Sequence, residues 1–395
     1  MVPRCRRPSQ KTSTKMGIPS MLWLMLLAVM LPAWIVSYFA VGAVKRYASR
    51  LGMLDKPNAR KVHTTPIPLG GGLGIWAGMI SVFAVGTLVV WGLANLEVAA
   101  AWSAAIPSSW LDYMPGMMSK IGSIWFLIAG ASVVTVLGLL DDRFGLDWRV
   151  RLGVEFAVAA AVVFGLNLHL TAYIDQPWLT SALSILWIVM LINSFNMLDN
   201  MDALSGGVAA IISAMLAIML MTNPESTVGQ PQLFVAAMVL ALLGGLLGFL
   251  HHNWPPATIF MGDAGSYLVG YWIAVATLLS TYAGAKGATP HAVLAPLCLL
   301  AIPIYDMVSV ILIRLREGRS PFHADKKHFS HRLVEMGMTK KQAVITIYLA
   351  TLTCSLGALI LARTDWIGAG LVLLIVVAML SLIGVLESLT TGSKS

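Results

Sequence analysis

The chain has 395 residues, of which 58% are hydrophobic and only 11% are charged. Soluble domains usually carry about 25% charged residues, and a globule of this size cannot hide so much apolar surface from water. The composition therefore excludes a soluble protein and indicates an integral membrane protein. The net charge of +8 is expected to orient the chain in the bilayer rather than to bind nucleic acid, because cytosolic loops retain Lys and Arg.

The N-terminal residues are basic and polar, with five Lys/Arg among the first fifteen. They show no packing pattern, which predicts a flexible tail over residues 1–16. The native start is either Met1 or Met16. The apolar run that follows, from about residue 18 to 44, is too long for a signal peptide, so we expect it to be a membrane span. Residues 17–390 are expected to form a single transmembrane domain.

Apolar runs long enough to cross a bilayer recur along the chain, since a spanning helix needs about 20 residues. Eleven candidates lie at residues 20–44, 69–92, 122–140, 152–170, 178–195, 203–222, 231–250, 265–281, 291–313, 342–362 and 366–387. The fourth has the weakest pattern, because His169 and Tyr173 make its end polar. The predicted fold is an all-α polytopic bundle of about 10–11 transmembrane helices.

Positive charge is distributed unequally between the two sides of these spans. Successive loops lie on opposite sides of the membrane. Assigned in this way, the loops of one side hold eighteen Lys/Arg, and those of the other side hold three when the N-terminal tail is left out. The excess predicts that the first side is cytosolic. The five basic residues of the tail conflict with this orientation, and a start at Met16 would remove the conflict. The eighteen lie in residues 45–63, 141–151, 314–341 and the C-terminus.

Five polar segments lie at the predicted cytosolic ends of spans. The first, residues 55–63, contains Lys61 and precedes a glycine-rich stretch. It is either a positive-inside anchor with glycines for helix packing or a cationic loop that binds a nucleotide diphosphate.

The second polar segment contains Asp141 and Asp142. Two carboxylates at a span end are energetically costly unless they contact water, a cation or Arg143. It is either a solvated helix end or part of an active site.

The third polar segment places four oxygen-bearing side chains at intervals of three residues: Asn193, Asn196, Asp199 and Asp202. If helical, this spacing puts them near one face, and oxygen donors suit a hard cation such as Mg²⁺. The fourth segment, residues 253–266, has Asp263 between Gly262 and Gly265 before a new span. Asp263 either supplies a metal oxygen near an anion-favouring helix start or caps that helix.

The fifth polar segment is the basic loop 314–342, in which His328 and His331 are three residues apart. Zinc is disfavoured there, because the loop lacks Cys and its neighbours are cations. An anion-binding lid is preferred to a merely solvated loop. Asp306 lies within an apolar run, where an ionisable group needs a partner, so we expect it to pair with a basic group.

The order and spacing of these segments resemble those of the polyprenyl-phosphate N-acetylhexosamine-1-phosphate transferases, over residues 55–342. That family includes bacterial undecaprenyl-phosphate GlcNAc-1-phosphate transferases and phospho-MurNAc-pentapeptide translocases. The resemblance implies cytosolic catalytic loops that transfer an N-acetylhexosamine-1-phosphate from a UDP-sugar to undecaprenyl phosphate, with release of UMP. GlcNAc is the expected sugar, since loop 325–333 looks more like the GlcNAc-type enzymes, and MurNAc-pentapeptide or another UDP-sugar is the alternative.

The resemblance also implies roles for single residues. Mg²⁺, or Mn²⁺ in its place, would be held by Asp263 and Asn196. Asn253 and Phe260 would hold the uracil, by hydrogen bonds and by stacking. The implied catalytic residues are Asp141, Asp142, Asp199 and Asp202. The implied substrate-binding residues are Lys61, Asn193, Asn253, Phe260, His328, His331 and Arg332.

Three positions depart from the family pattern: Asn200 and Ala203 stand where Gly is frequent, and Ser330 where His is common. The expected partners are UDP-N-acetylhexosamine, undecaprenyl phosphate and the lipid bilayer, and a homodimer is left open. The expected location is the bacterial inner membrane, with a cytosolic active site. Alternatives from other classes are a non-catalytic scaffold and a secondary transporter, although transporter sites lie near the bilayer midplane and these acids lie at span ends.

Overall fold

The computed structural model describes residues 23–55, 66–95, 114–170, 174–222, 232–280, 290–322, 327–361 and 363–391. The predictions for the tail 1–16 and for Lys61 lie outside these ranges. Within them the chain is almost entirely helical, and its two short strands, β1 (Leu54–Asp55) and β2 (Ile67–Pro68), pair antiparallel.

Thirteen α-helices make up the described part of the chain. A π-helical turn, Leu26–Met30, leads into the first, and a 3₁₀ turn, Pro290–Leu294, leads into the ninth. The helices are α1 (Leu31–Tyr47), α2 (Gly71–Ala94), α3 (Met114–Phe144), α4 (Trp148–Gly165), α5 (Pro177–Leu198), α6 (Leu204–Thr222), α7 (Leu233–Asn253), α8 (Gly262–Leu279), α9 (Ala295–Leu299), α10 (Ala301–Arg316), α11 (Phe329–Glu335), α12 (Lys340–Leu361) and α13 (Trp366–Thr391).

The all-α polytopic membrane fold is confirmed. Eight of the described helices are long and apolar enough to cross a membrane, and the pair formed by Pro290–Leu299 and α10, bent by 65°, brings the number to nine if it is counted as one span. The predicted count was higher because it included α4 and α8, which are helical but do not pass this test of length and apolarity. Arg149, Arg151 and Glu155 make α4 polar, and Asp263 with several Gly and Tyr residues makes α8 less apolar than the other spans.

Helix α8 forms the centre of the bundle. Every residue from Ala264 to Leu278 is buried, and α8 packs against α2, α3 and α5. Its large aromatic side chains satisfy their polar atoms inside the core. Trp272 Nε1 donates to the Met238 carbonyl at 2.9 Å, and the Tyr271 hydroxyl donates to the Leu127 carbonyl at 3.1 Å. This central helix carries Asp263 at its first turn.

Glycines allow the ends of α2, α3 and α8 to approach one another closely. A Cβ atom at Gly72 would overlap the backbone of Gly265, and one at Gly138 would overlap the backbone of Asp263 and Ala264. Because only glycine permits such backbone contact, the sequence brings three helix ends together at the point where the acidic segments lie.

Candidate active site

Asp142 connects α3 to the start of α8. Its carboxylate accepts hydrogen bonds from the backbone N–H groups of Asp263, at 3.0 Å, and Ala264, at 3.4 Å. First-turn N–H groups have no partner within their own helix, so Asp142 caps α8 from a neighbouring helix. Asp263 is therefore not itself the cap, and the second and fourth polar segments meet here.

Asp141 is buried and faces donors on two other helices. Its Oδ2 atom accepts from Arg151 Nη1 at 2.7 Å and from the Tyr267 hydroxyl at 2.9 Å, and its Oδ1 atom accepts from the Leu146 N–H at 2.8 Å. These three donors, one of them a cation, stabilise the ionised carboxylate. Asp141 is thus poorly suited to act as a base and well suited to position α4 and α8.

The third polar segment begins on α5 and continues into the turn after it. Asn196 Nδ2 donates to Asp263 Oδ1 at 2.7 Å and to Ser266 Oγ at 3.1 Å. Asp202 instead accepts from the Ala257 N–H at 3.0 Å. Because α5 ends at Leu198, the predicted shared helix face applies to Asn193 and Asn196 alone, and the two acids of this segment belong to the turn.

Asn193 turns towards α4 rather than towards the acids. Its Nδ2 atom donates to Glu155 Oε2 at 2.5 Å and to the Val189 carbonyl at 2.9 Å. Glu155 is buried and lies one helical turn after Arg151. The predicted contact of Asn193 with substrate stays a prediction, and the structure assigns it a link between α5 and α4.

Like charges meet around Asp199, which follows the last residue of α5. The pKa of Asp199 is raised to about 7, first by burial and then by the negative charges of Asp142 and Asp202, against the effect of a hydrogen bond from the Gly262 backbone. Asp142 also lies beside Asp263, through the helix cap described above. Together these four acids form the carboxylate cluster: Asp142, Asp199, Asp202 and Asp263.

The carboxylate cluster offers the chemistry that a magnesium ion needs. Among the described residues, no three His, Cys, Asp or Glu side chains form a ready-made metal site. Mg²⁺ usually takes only one or two protein carboxylates and completes its shell with water and substrate phosphates, so Asp263 with Asn196 fits it. The Asn196 amide nitrogen now faces Asp263, and coordination requires its oxygen to turn to the ion.

The residues predicted to hold the uracil lie at the two ends of the loop between α7 and α8. Asn253 is buried, and its Oδ1 atom accepts from the Ala203 N–H at 2.7 Å while Nδ2 donates to the Ile259 carbonyl at 2.8 Å. Phe260 is half-buried, and its backbone N–H donates to the Pro68 carbonyl at 2.9 Å. Asn253 therefore orders this loop, and both uracil contacts stay predictions.

The histidines of the fifth polar segment lie at the start of α11, His328 as its N-cap residue and His331 in its first turn. His328 Nδ1 lies 3.0 Å from Asp306 Oδ2, and the Phe329 N–H donates to Asp306 Oδ1 at 2.6 Å. The predicted basic partner of Asp306 is thus confirmed as His328. A carboxylate on Nδ1 orients the imidazole and makes Nε2 its outward-facing atom. The His331 ring lies 6.4 Å from the His328 ring, centroid to centroid.

Arg332 connects α11 to α10 and α13. Its guanidinium forms an ion pair with Glu387 at 2.9 Å, donates to Ser309 Oγ at 2.8 Å and also donates to the Lys327 carbonyl. The Tyr305 hydroxyl donates to the other oxygen of Glu387 at 2.9 Å. The predicted substrate contact of Arg332 stays a prediction, because these partners already hold the guanidinium.

The three departures from the family pattern lie in the turn after α5 and on α11. Ala203 has φ +62°, a left-handed conformation that favours glycine. Its carbonyl accepts a hydrogen bond from the Tyr348 hydroxyl. Ser330 Oγ donates to Asn200 Oδ1 at 2.5 Å. The first contact connects the turn to α12, and the second connects it to α11.

Acids and amides thus meet at the ends of apolar helices, and a buried His–Asp pair connects α10 to the start of α11. Residues 124–281 match the family model described as glycosyl transferase family 4. The chain belongs to glycosyl transferase family 4, because it also matches curated relatives of that kind over most of its length.

Three of those relatives illustrate the match. A probable undecaprenyl-phosphate N-acetylglucosaminyl 1-phosphate transferase of Bacillus subtilis is 30% identical, over 88% of this chain and 89% of its own length. The decaprenyl-phosphate N-acetylglucosaminephosphotransferase of Mycobacterium tuberculosis is 33% identical, over 81% and 78%. The undecaprenyl-phosphate alpha-N-acetylglucosaminyl 1-phosphate transferase of Escherichia coli is 31% identical, over 80% and 78%.

Proposed function

We propose that this protein transfers GlcNAc-1-phosphate from UDP-GlcNAc to undecaprenyl phosphate and releases UMP, at the cytosolic face of the bacterial plasma membrane. The observation that carries the proposal is the carboxylate cluster at the first turn of α8, connected through Asn200 and Ser330 to the histidines of α11. The names of the relatives support the substrates, and the excess of Lys and Arg at this end of the spans supports the orientation.

Both reactants are anionic phosphates, so the protein must lower their repulsion. We propose that Asp263 and Asn196 hold Mg²⁺, with Mn²⁺ as the alternative. The ion would neutralise the donor diphosphate. His328 and His331 lie on α11 where they would donate hydrogen bonds to charge that develops on the phosphates. Binding both reactants at one membrane surface removes much of the entropic barrier to their encounter.

In the proposed reaction an oxygen of the lipid phosphate attacks the phosphorus bound to the sugar. A new phosphorus–oxygen bond forms, the bond to the UMP phosphate oxygen breaks, and UMP leaves with the electron pair. A phosphate monoester has its second pKa near about 6 and is mostly ionised at neutral pH, so little deprotonation is needed. Donors from the protein already engage Asp141 and Asp142, which favours direct attack over an aspartyl-phosphate intermediate.

The test is turnover by the purified protein in lipid nanodiscs with undecaprenyl phosphate, Mg²⁺ and a panel of UDP-sugars. We expect UMP and lipid-linked GlcNAc diphosphate with UDP-GlcNAc, and loss of both products after chelation or in Asp263→Asn. Asp365→Asn is the matched control, because Asp365 caps the start of α13 at an exposed position. If only UDP-MurNAc-pentapeptide gave UMP, the donor sugar in the proposal would have to be changed. If no UDP-sugar gave UMP, the proposal would be refuted.

A further inference from the structure

Two of the positions that depart from the family pattern contact each other. Ser330 is buried, and its hydroxyl donates to Asn200 Oδ1 at 2.5 Å. The other end of the same amide, Asn200 Nδ2, donates to the Met197 carbonyl at 2.8 Å. The Asn200 side chain therefore binds the end of α5 with its nitrogen and α11 with its oxygen.

The two residues are placed between the groups that carry the proposed chemistry. Asn200 directly follows Asp199 and precedes Asp202 by two residues, so it lies inside the acidic turn. Ser330 lies in the first turn of α11, between the N-cap residue His328 and His331. The hydrogen bond thus connects the turn that carries two carboxylates to the short helix that carries both imidazoles.

Other polar contacts of α11 hold it from other directions. Asp306 on α10 binds its first turn, and Arg332 binds Ser309 on α10 and Glu387 on α13. These contacts fix α11 against α10 and α13, and they do not involve the acidic turn. The contact of Ser330 with Asn200 acts along a third direction, towards the acids.

We propose that Asn200 and Ser330 are a positioning pair that sets the separation between the carboxylate cluster and the histidines of α11. This inference rests on the proposed function. Neither side chain needs to touch a substrate, because the pair acts through the backbone of the turn and of α11. A displacement of about 1 Å at a reacting centre can cost about 10²-fold in rate, so one buried hydrogen bond is sufficient to matter.

A double-mutant cycle on turnover tests the pair, using Asn200→Ala, Ser330→Ala and the double variant. One hydrogen bond corresponds to roughly a three- to tenfold change in rate. We expect each single variant to lose kcat by that factor, with KM for UDP-GlcNAc nearly unchanged. The double variant should lose no more than Asn200→Ala alone, because Ser330→Ala removes a contact that Asn200→Ala has already removed.

Two further variants separate positioning from general damage. Ser330→Thr keeps the hydroxyl and should recover most of kcat. Ser213→Ala is the matched control, since Ser213 is a buried serine of α6 whose hydroxyl has no hydrogen-bond partner within the described ranges, and it should leave kcat unchanged. Melting temperatures of all variants report folding independently of turnover.

The outcomes distinguish this inference from the proposed function. Losses that add in the double variant, a change in KM alone, or no rescue by Ser330→Thr would overturn the positioning pair while the enzyme remains active. A wild-type protein that turns over no UDP-sugar would refute the proposed function, and the positioning role with it.

Discussion

Gly262 offers the sharpest test of how α3 and α8 build the carboxylate cluster. Its backbone has φ +72°, and a Cβ atom there would lie 2.5 Å from Asp142 Oδ2. In Gly262→Ala, the left-handed backbone costs about 1 kcal/mol. In addition, Asp142 must withdraw by about 1 Å to reach ordinary van der Waals separation, which breaks its 3.0 Å hydrogen bond to the Asp263 N–H.

The expected result of Gly262→Ala is a loss of about 10²-fold in kcat, because Asp263 loses its fixed position. Gly52→Ala is the matched control, since Gly52 has φ +71° and nothing lies within 4 Å of its added Cβ. It carries the same backbone cost without the contact. Initial rates of UMP release and melting temperatures of both variants give the comparison. Equal turnover by the two variants would refute the role of the Asp142 contact.

Three further predictions concern stability, measured as thermal unfolding in nanodiscs. Arg151→Met should destabilise the protein by about 2 kcal/mol, because it leaves the buried charge of Asp141 without its ion-pair partner. Adding Asp141→Asn should recover most of the lost stability. If it recovered none, the ion pair would not be what stabilises the fold here. The pKa of Asp199 is raised from 3.8 to about 7. Without divalent ions, the free energy of unfolding should therefore fall as the pH rises from about 4 to about 7, because the folded protein holds its proton more tightly than the unfolded chain does. Asp199→Asn should therefore melt at a higher temperature than wild type at pH about 8, and a lower one would contradict the like-charge repulsion. Ala203→Gly should stabilise the protein by about 1 kcal/mol, because glycine adopts the left-handed backbone of this position without strain. The control Ala209→Gly, inside α6, should destabilise the protein by a similar amount. Destabilisation by both variants would show that the backbone at Ala203 is not strained.

The contacts predictable from sequence were those between polar groups that have no other place in a membrane. The family resemblance implied that Asp263 and Asn196 lie together as metal ligands. An ionisable group inside an apolar run needs a partner, which led to the expectation that Asp306 has a basic one. Both contacts are present, at 2.7 Å and through His328. Apolar run lengths likewise located the helices, because lipid requires internally satisfied backbone.

The partners that sequence did not predict depend on which helix faces meet. Arg151 and Glu155, one turn apart in α4, were a usable signal of a buried polar face. Tyr267 has no such signal, because its hydroxyl contact with Asp141 arises only when α3 and α8 pack together. Glu387, more than fifty residues after Arg332, is paired with it by the packing of α13 and not by any local pattern.

The site has two parts of different rigidity, and the glycine contacts among α2, α3 and α8 make the acidic part the more rigid one. Where backbones touch, as at Gly72 and Gly138, the helices have no free space to approach further. The opposite half, α11, is held mainly by contacts to the side chains of Asp306, Asn200 and Glu387 and by packing against α12. We therefore expect a substrate that enters between them to meet a rigid acidic wall, and any closing motion during turnover to come from the histidine side.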